Sequence, residues 1–373
     1  MIPVFEPVYG EEEIQAVVAA LRRGEISGTF GEAIPSFERA FADYVGCTHG
    51  VAVSNGTTAL HAAVAALELA PGDEVIVSAS TNIATALAVY HTGGITVPAD
   101  SEAETWNIDL DKVEALITPR TKAIIPVHLY GHPVDMDRLM AIADRHKLIV
   151  IEDCAESHGA TVRGRMTGSY GDMACFSFYA NKIITTGEGG MITTNNDHYA
   201  AKLRLLRNLA FTQPRFWHEV PGFNFRMTGY QAAMGVVQTG KIEQIIEQKR
   251  ALAHRYNARL AGVPGLQTPV ELPWARHVYW MYAVALDGKG PVSRDALAKQ
   301  LHKDGIETRT FFCPMNLQPF LQKQPGFRDL ACPVAERLWR DGLYLPSSTK
   351  LTETDIDFVA DRVRSALGAT VKA

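Results

Sequence analysis

Five stretches of this chain are continuous in apolar residues: DEVIVSA (73–79), TKAIIPVHL (121–129), LIVIED (148–153), MACFSF (173–178) and GGMITT (189–194). A strand with one face in water alternates apolar and polar residues, because successive side chains point to opposite faces. Strands without that alternation are covered on both faces. Helical patterns lie among them, as in PSFERAFADYVG (35–46), ATALAVYHTG (84–93) and DMDRLMAIADRHK (135–147), where Asp135 is a candidate cap. The succession predicts an α/β fold whose mostly parallel sheet is sandwiched by helices. Ligands of such sheets bind at the carboxyl ends of the strands. Gly56, Asp153 and Ser177 all fall at or near predicted strand ends.

EEEIQAVVAALRR (11–23) runs from acidic to basic, the charge order that suits a helix dipole, and Gly24 stops it. GYQAAMGVVQTGKIEQIIEQKRALAHRYNARLAG (229–262) reads as one long helix or two joined ones. Beyond it, a strand at 277–286 and helices at 293–305 and 352–367 predict a smaller α+β domain. The division expected is 1–249 for the large domain and 250–373 for the small one. In KIEQIIEQKR (241–250) the charged face is expected in solvent or at a subunit contact.

With 47% hydrophobic residues, 21% charged and a net charge of −5, the composition suits a globular protein and argues against nucleic-acid binding, which favours a basic surface. No apolar run reaches the ~18 residues of a membrane span. The start, MIPVFEPVYGEEE, lacks a basic-then-apolar signal, so a cytoplasmic enzyme is expected. Cys47, Cys154, Cys175, Cys313 and Cys332 are scattered and odd in number, as in a reducing compartment.

Lys182 stands in SFYANKIITTGEGG (177–190), between an aromatic strand end and a glycine-rich turn. Three other features bear on it. SNGTTAL (54–60) reads as a tight turn at Asn55-Gly56 with a helix opening at Thr57, a place for an anion at backbone N–H groups. A plain turn looks the same. Asp153 ends an apolar strand, where a carboxylate is costly without a cationic partner; a helix cap is the ordinary alternative. Ser177 offers a hydroxyl, and TGEGG also suits a hairpin. Together the four describe a pocket for a phosphate, a cationic heterocycle and an amine-reactive aldehyde, the needs of pyridoxal 5'-phosphate (PLP).

The runs VSNGTTAL, TPRTKAIIPVHLYG, IEDCAESHGA, GDMACFSFYANKIITTGEGGMITTN and GFNFRMTGYQAAMG resemble the DegT/DnrJ/EryC1/StrS sugar aminotransferases, from about residue 5 to the C-terminus. The resemblance implies the aspartate-aminotransferase-like fold (PLP fold type I). It also implies roles. Lys182 would hold PLP and move protons, and Asp153 would pair with the pyridinium nitrogen. Gly56, Thr57 and Ser177 would bind the phosphate, and Asn224 would reach it from the neighbouring subunit of a homodimer with shared active sites. Glu156 takes the place of a more usual glutamine beside the ring hydroxyl.

FYANKIITTGEGG and HVYWMY are most similar to the branch that aminates GDP-4-keto-6-deoxymannose with L-glutamate, leaving 2-oxoglutarate and an amino-sugar for polysaccharide. Asn82 departs from the family, which carries a ring-stacking aromatic there. The rival readings are a dehydratase, whose relatives replace the lysine by histidine, and a non-catalytic PLP-fold sensor or scaffold.

His158, Arg226, His277 and Arg309 are candidates for substrate, with ordinary packing or ion pairing as the alternative for each. Trp280 and Phe311 are pocket residues or small-domain core, and Tyr179 is expected to pack. His128 and His132 have i, i+4 spacing, but on a strand end, where they do not converge on a metal. No metal site is expected.

Overall fold

A computed structural model describes residues 1–369. Its centre is a seven-stranded sheet in the order His49–Val53, Gly190–Thr194, Met173–Ser177, Ile149–Asp153, Thr121–Ile125, Glu74–Ser78, Ile95–Ala99. All pairings among the last five strands are parallel. Gly190–Thr194 runs against both neighbours, so His49–Val53 points the same way as the parallel strands. Six carboxyl ends therefore share one edge of the sheet. The strand Ile95–Ala99 and the helix Leu110–Leu116 were not read from the sequence.

The absence of alternation in the sequence has the predicted cause. Val51, Val53, Val75, Val77, Ile125, Ile151 and Cys175 pack against the helix Gly56–Ala65 and its neighbours on one face. Ala52, Ala174, Phe176 and Met191 meet Phe37 and Phe41 of the helix Ala33–Val45 on the other. Ile76, Ile124 and Val150 extend that second face onto Leu139 and Ile142 of the helix Met136–His146. Asp135 caps that helix, accepting the Arg138 N–H.

A second sheet, antiparallel throughout, runs Leu266–Gln267, Tyr282–Leu286, Gly342–Leu345, Arg309–Thr310. Leu252, Tyr256 and Leu260 pack on it with residues of the helices Arg294–Lys303 and Glu353–Ala366. The segment 229–262 is two helices, Gly229–Thr239 and Ile242–Leu260. The second is continuous, so the expected division at 249/250 falls inside a helix. The start of the chain also joins the later residues: Ile2 donates to the Gly305 carbonyl at 2.7 Å and Val4 to Glu307 at 2.9 Å. The strand read at 277–286 is shorter, because residues 277–281 leave the sheet for a bent segment with Tyr279 at φ 46°.

At the sheet centre, Glu152 and Asp153 are consecutive and point to opposite faces. Glu152 is fully buried. It accepts the N–H groups of Gly168, Tyr170 and Gly171, each at 2.8 Å, and faces His128 Nε2 at 3.2 Å. His128 Nδ1 accepts the Val134 N–H, which leaves Nε2 to carry the proton it gives Glu152. Cys154 lies near this pair, but both carboxylate oxygens are already occupied by N–H donors, so the trio is a structural network. Glu152→Ala would strand those donors in the interior and is expected to cost about 3–5 kcal/mol. A denaturant midpoint equal to that of the parent chain would refute this account.

Candidate active site

The shared edge opens into a cavity of about 460 Å3, lined by Gly56, Thr57, Asp153, Glu156, Ser177, Lys182 and Arg309 among others. Its floor is an anion cradle. Asn55 caps the helix Gly56–Ala65, its Oδ1 accepting the Thr58 N–H at 2.8 Å, while Thr58 Oγ1 accepts the Asn55 N–H at 3.1 Å. The N–H groups of Gly56 and Thr57 remain, first-turn donors with no acceptor inside the helix. The helix dipole adds partial positive charge there. The Gly190 strand lies between Val53 and Ser177 in register, which brings Ser177 beside this helix start. A Cβ on Gly56 would lie 2.6 Å from the Ser177 Cβ, so only glycine permits that approach. The helix opens at Gly56, one residue before the position read from the sequence.

Asp153 is held by two donors: Thr85 Oγ1 at 2.8 Å and the Ala155 N–H at 3.1 Å. Burial raises its pKa against the opposing pull of these bonds and of Lys182. Glu156 accepts the Tyr130 N–H at 2.7 Å, and burial pushes its carboxyl up to about 7. The Lys182 amine makes no hydrogen bond or ion pair among the described residues. Its Nζ sits 3.9 Å from the centre of the Trp280 ring. Burial lowers the Lys182 pKa, while Glu156 and Asp153 act to raise it. An amine that gives up its proton more readily than usual is a better nucleophile and proton carrier.

Other candidates lie elsewhere. His277 is a correction: it is buried away from the cavity, stacked on Tyr279 at 3.7 Å, and its Nδ1 accepts the Tyr279 N–H. His158 is likewise buried, among Phe41, Phe176 and Phe178, and does not line the cavity. Burial takes its pKa down to about 3. Asn224 is exposed, and Arg226 bonds Asn208 at 2.9 Å; neither lines this chain's cavity. His132 is buried with its pKa lowered to about 4, held by Asn107 and the Pro133 carbonyl. Tyr179, expected to pack, is 48% exposed and lines the mouth. Phe311 is core, against Trp106 and Tyr130, whereas Trp280 lines the cavity. Asn82 caps the helix Ile83–His91 through the Ala84 N–H at 3.0 Å. Its side chain serves the backbone at the cavity's edge, where the resemblance leads one to expect a ring. Sequence reasoning missed Thr85 and Tyr130, which hold the carboxylates from a distance in the chain, Tyr130 through a backbone N–H that its side chain does not signal.

The profile of the DegT/DnrJ/EryC1/StrS aminotransferase family matches residues 7–364. A GDP-perosamine synthase of Caulobacter vibrioides is 48% identical over 334 residues, covering 88% of each chain. The solved structure of DesV from S. venezuelae superposes with a TM-score of 0.89 at 37% identity, covering 96% of this chain and 95% of the other. The PLP form of Spr1654 from Streptococcus pneumoniae gives a TM-score of 0.92 at 27% identity, covering 98% of both. The chain belongs to the DegT/DnrJ/EryC1/StrS family and is a PLP-dependent aminotransferase.

The donor set fits that cofactor. Unpaired N–H groups and a serine hydroxyl suit its phosphate, a desolvated carboxylate suits its cationic ring nitrogen, and a lone amine suits its aldehyde. Gly56→Ala is expected to weaken PLP binding about tenfold or more, since the cradle must open to admit a methyl group. Absorbance titration of the cofactor-free chain measures this, and wild-type affinity would show that the cradle is not the phosphate site.

Proposed function

We propose that this member of the family transfers an amino group from L-glutamate to a nucleotide-linked 4-keto-6-deoxy sugar, GDP-4-keto-6-deoxymannose or a close relative. The product is an amino-sugar for polysaccharide or glycan assembly. The observation that carries the chemistry is the meeting of Lys182, Asp153 and the Gly56–Ser177 cradle at one cavity. The 48% identity to a GDP-perosamine synthase supports the sugar.

When bound, PLP supplies an electron sink that makes the hydrogen on an amine-bearing carbon acidic. The chain's residues have distinct tasks around it. The N–H groups of Gly56 and Thr57 and the Ser177 hydroxyl bind the phosphate and fix the ring's position. Asp153, held by Thr85 and Ala155, would supply a negative charge to the ring nitrogen. Lys182 would hold the cofactor through its amine and, when that amine is free, would carry a proton on its Nζ. Arg309 stands at the mouth with a half-exposed side chain, its nearest acid Glu307 at 3.6 Å, and is suited to an incoming carboxylate or phosphate.

The proposed active unit is a homodimer in which the partner's copy of the segment 223–227 completes the site. Asn224 faces outward here, and Phe211, Phe216, Trp217 and Val220 leave an apolar surface exposed nearby in sequence. Such a patch favours burial against another chain.

Incubation with glutamate and a panel of GDP-, UDP- and dTDP-linked keto-sugars, read by mass, tests the reaction. Amination of the GDP-linked 4-keto sugar is expected, with turnover lost in Lys182→Ala. Product formed only from another nucleotide would overturn the proposed substrate, and an active Lys182→Ala would overturn the mechanism. For the dimer, Lys182→Ala and Asn224→Ala chains are each expected to be impaired and, when mixed and reassembled, to regain activity that neither has alone. A mixture no better than its parts would exclude the shared site.

A further inference from the structure

Trp280 and Lys249 have no part in the reaction described above, yet they are joined to its central amine. Lys249 lies on the helix Ile242–Leu260 in the stretch whose charged face is expected in solvent or at a subunit contact, but it is 3% exposed within this chain. Its Nζ donates to the Trp280 carbonyl at 2.8 Å and the Ser347 carbonyl at 2.7 Å. No carboxylate pairs with it among the described residues. A buried amine with only carbonyl acceptors, its pKa lowered by burial to about 7, is expensive to charge, and its two bonds hold those carbonyls in place.

What it holds is the backbone of Trp280. The other end of that residue is fixed as well: the indole Nε1–H donates to the Asn181 carbonyl at 2.6 Å, the peptide directly before Lys182. The approach to Trp280 is rigid. Val278 donates to the Gly131 carbonyl at 3.1 Å, and Tyr279 N–H is taken by His277 at 3.0 Å. Between the two anchors the ring presents its face to Lys182 Nζ, 3.9 Å from the ring centre. That is within the ~6 Å over which the negative face of an indole attracts a cation.

We propose that Trp280 is the resting surface for the Lys182 ammonium whenever that nitrogen is not attached to the cofactor, and that Lys249 is the positioning residue that keeps the ring there. Transamination frees Lys182 in every cycle. A free, protonated lysine in a desolvated cavity either swings toward water or is held near the reacting carbon. The ring face holds it without a hydrogen bond that would have to be broken before its return. Acidic and basic groups also face or influence the amine: Asp153 and Glu156 from the strand end, His158 from behind, and Glu188, Arg309 and Tyr344 around the cavity. The ring therefore adds to an attraction that the two carboxylates begin.

The inference rests on Lys182 being the attachment point and is independent of which sugar is used. Its test is the pH profile of cofactor attachment to the full chain after the cofactor has been removed. Pyridoxal phosphate is added across a pH series and the growth of the visible band is timed. Only the neutral amine attaches, so the profile's midpoint reports Lys182. Trp280→Leu removes an attraction for the ammonium and is expected to lower the midpoint by about 0.5–1.5 pH units. Trp280→Phe keeps a ring face and is expected to shift it less than half as far. An unchanged or raised midpoint in Trp280→Leu overturns the proposal, as does a Phe variant that shifts as far as Leu. Should Trp280→Leu not fold, Lys249→Met is read the same way: a lowered midpoint supports the proposal and an unchanged one overturns it. Failure of the premise looks different, since Lys182→Ala would then build the same band.

Discussion

Two adjacent carboxylates at the end of the strand Ile149–Asp153 set the terms for the rest of the molecule. Strand geometry sends Glu152 and Asp153 to opposite faces; Glu152 is fully buried and Asp153 is exposed only at the cavity it lines. Glu152 is neutralised structurally, by a ring of three backbone donors and His128. Asp153 is given only Thr85 and a backbone N–H, and burial leaves its carboxyl with a raised pKa. One carboxylate thus locks the 168–171 turn to the sheet, and its neighbour is left seeking a cation. In the proposed site the cofactor's ring nitrogen would be the cation that satisfies it.

The remaining pieces are placed by the sheet's polarity. Because the His49–Val53 strand returns parallel to the central five, its following turn lies on the same edge as Asp153 and Ser177. The single reversed strand, Gly190–Thr194, does more than fill a gap. A side chain at Gly190 would strike the Asn55 carbonyl, at 2.3 Å from its Cβ, so this glycine lets the turn close over the sheet edge. Anion cradle, carboxylate and amine are in this way delivered by three chain segments far apart in sequence. The second sheet contributes Tyr344 to the opposite wall, the bent segment before its strand Tyr282–Leu286 contributes Trp280, and Lys249 ties the helix Ile242–Leu260 to that wall.

Much of this could be read from residue pattern. The unalternating strands, the cap at Asp135 and the helix at 11–22 follow from periodicity and charge order alone. Lys182, Asp153, Gly56, Thr57 and Ser177, which line one cavity, were legible as candidates because each sits near a strand end or turn with the chemistry a phosphate and a pyridinium require. The misreadings share a cause. His277 was chosen as a basic residue able to meet an anionic substrate, but a histidine stacked on Tyr279 in the interior offers its nitrogens only to the backbone. Lys249 fell within a charged helical run, where periodicity places a residue on a face but does not say that another sheet covers that face.

The sequence by itself determined the class of sheet, the edge at which a ligand binds and the residue types able to hold PLP, because these depend on local periodicity and on chemistry carried within short motifs. The tertiary structure alone decided which groups meet there. It turned Glu152 into a structural anchor, set Thr85 against Asp153, removed His277 and His158 from the cavity, and set Trp280 against the Lys182 amine. These outcomes depend on desolvation and on contacts between segments about a hundred residues apart, as from Asn181 to Trp280, and neither is encoded in any one stretch of the chain.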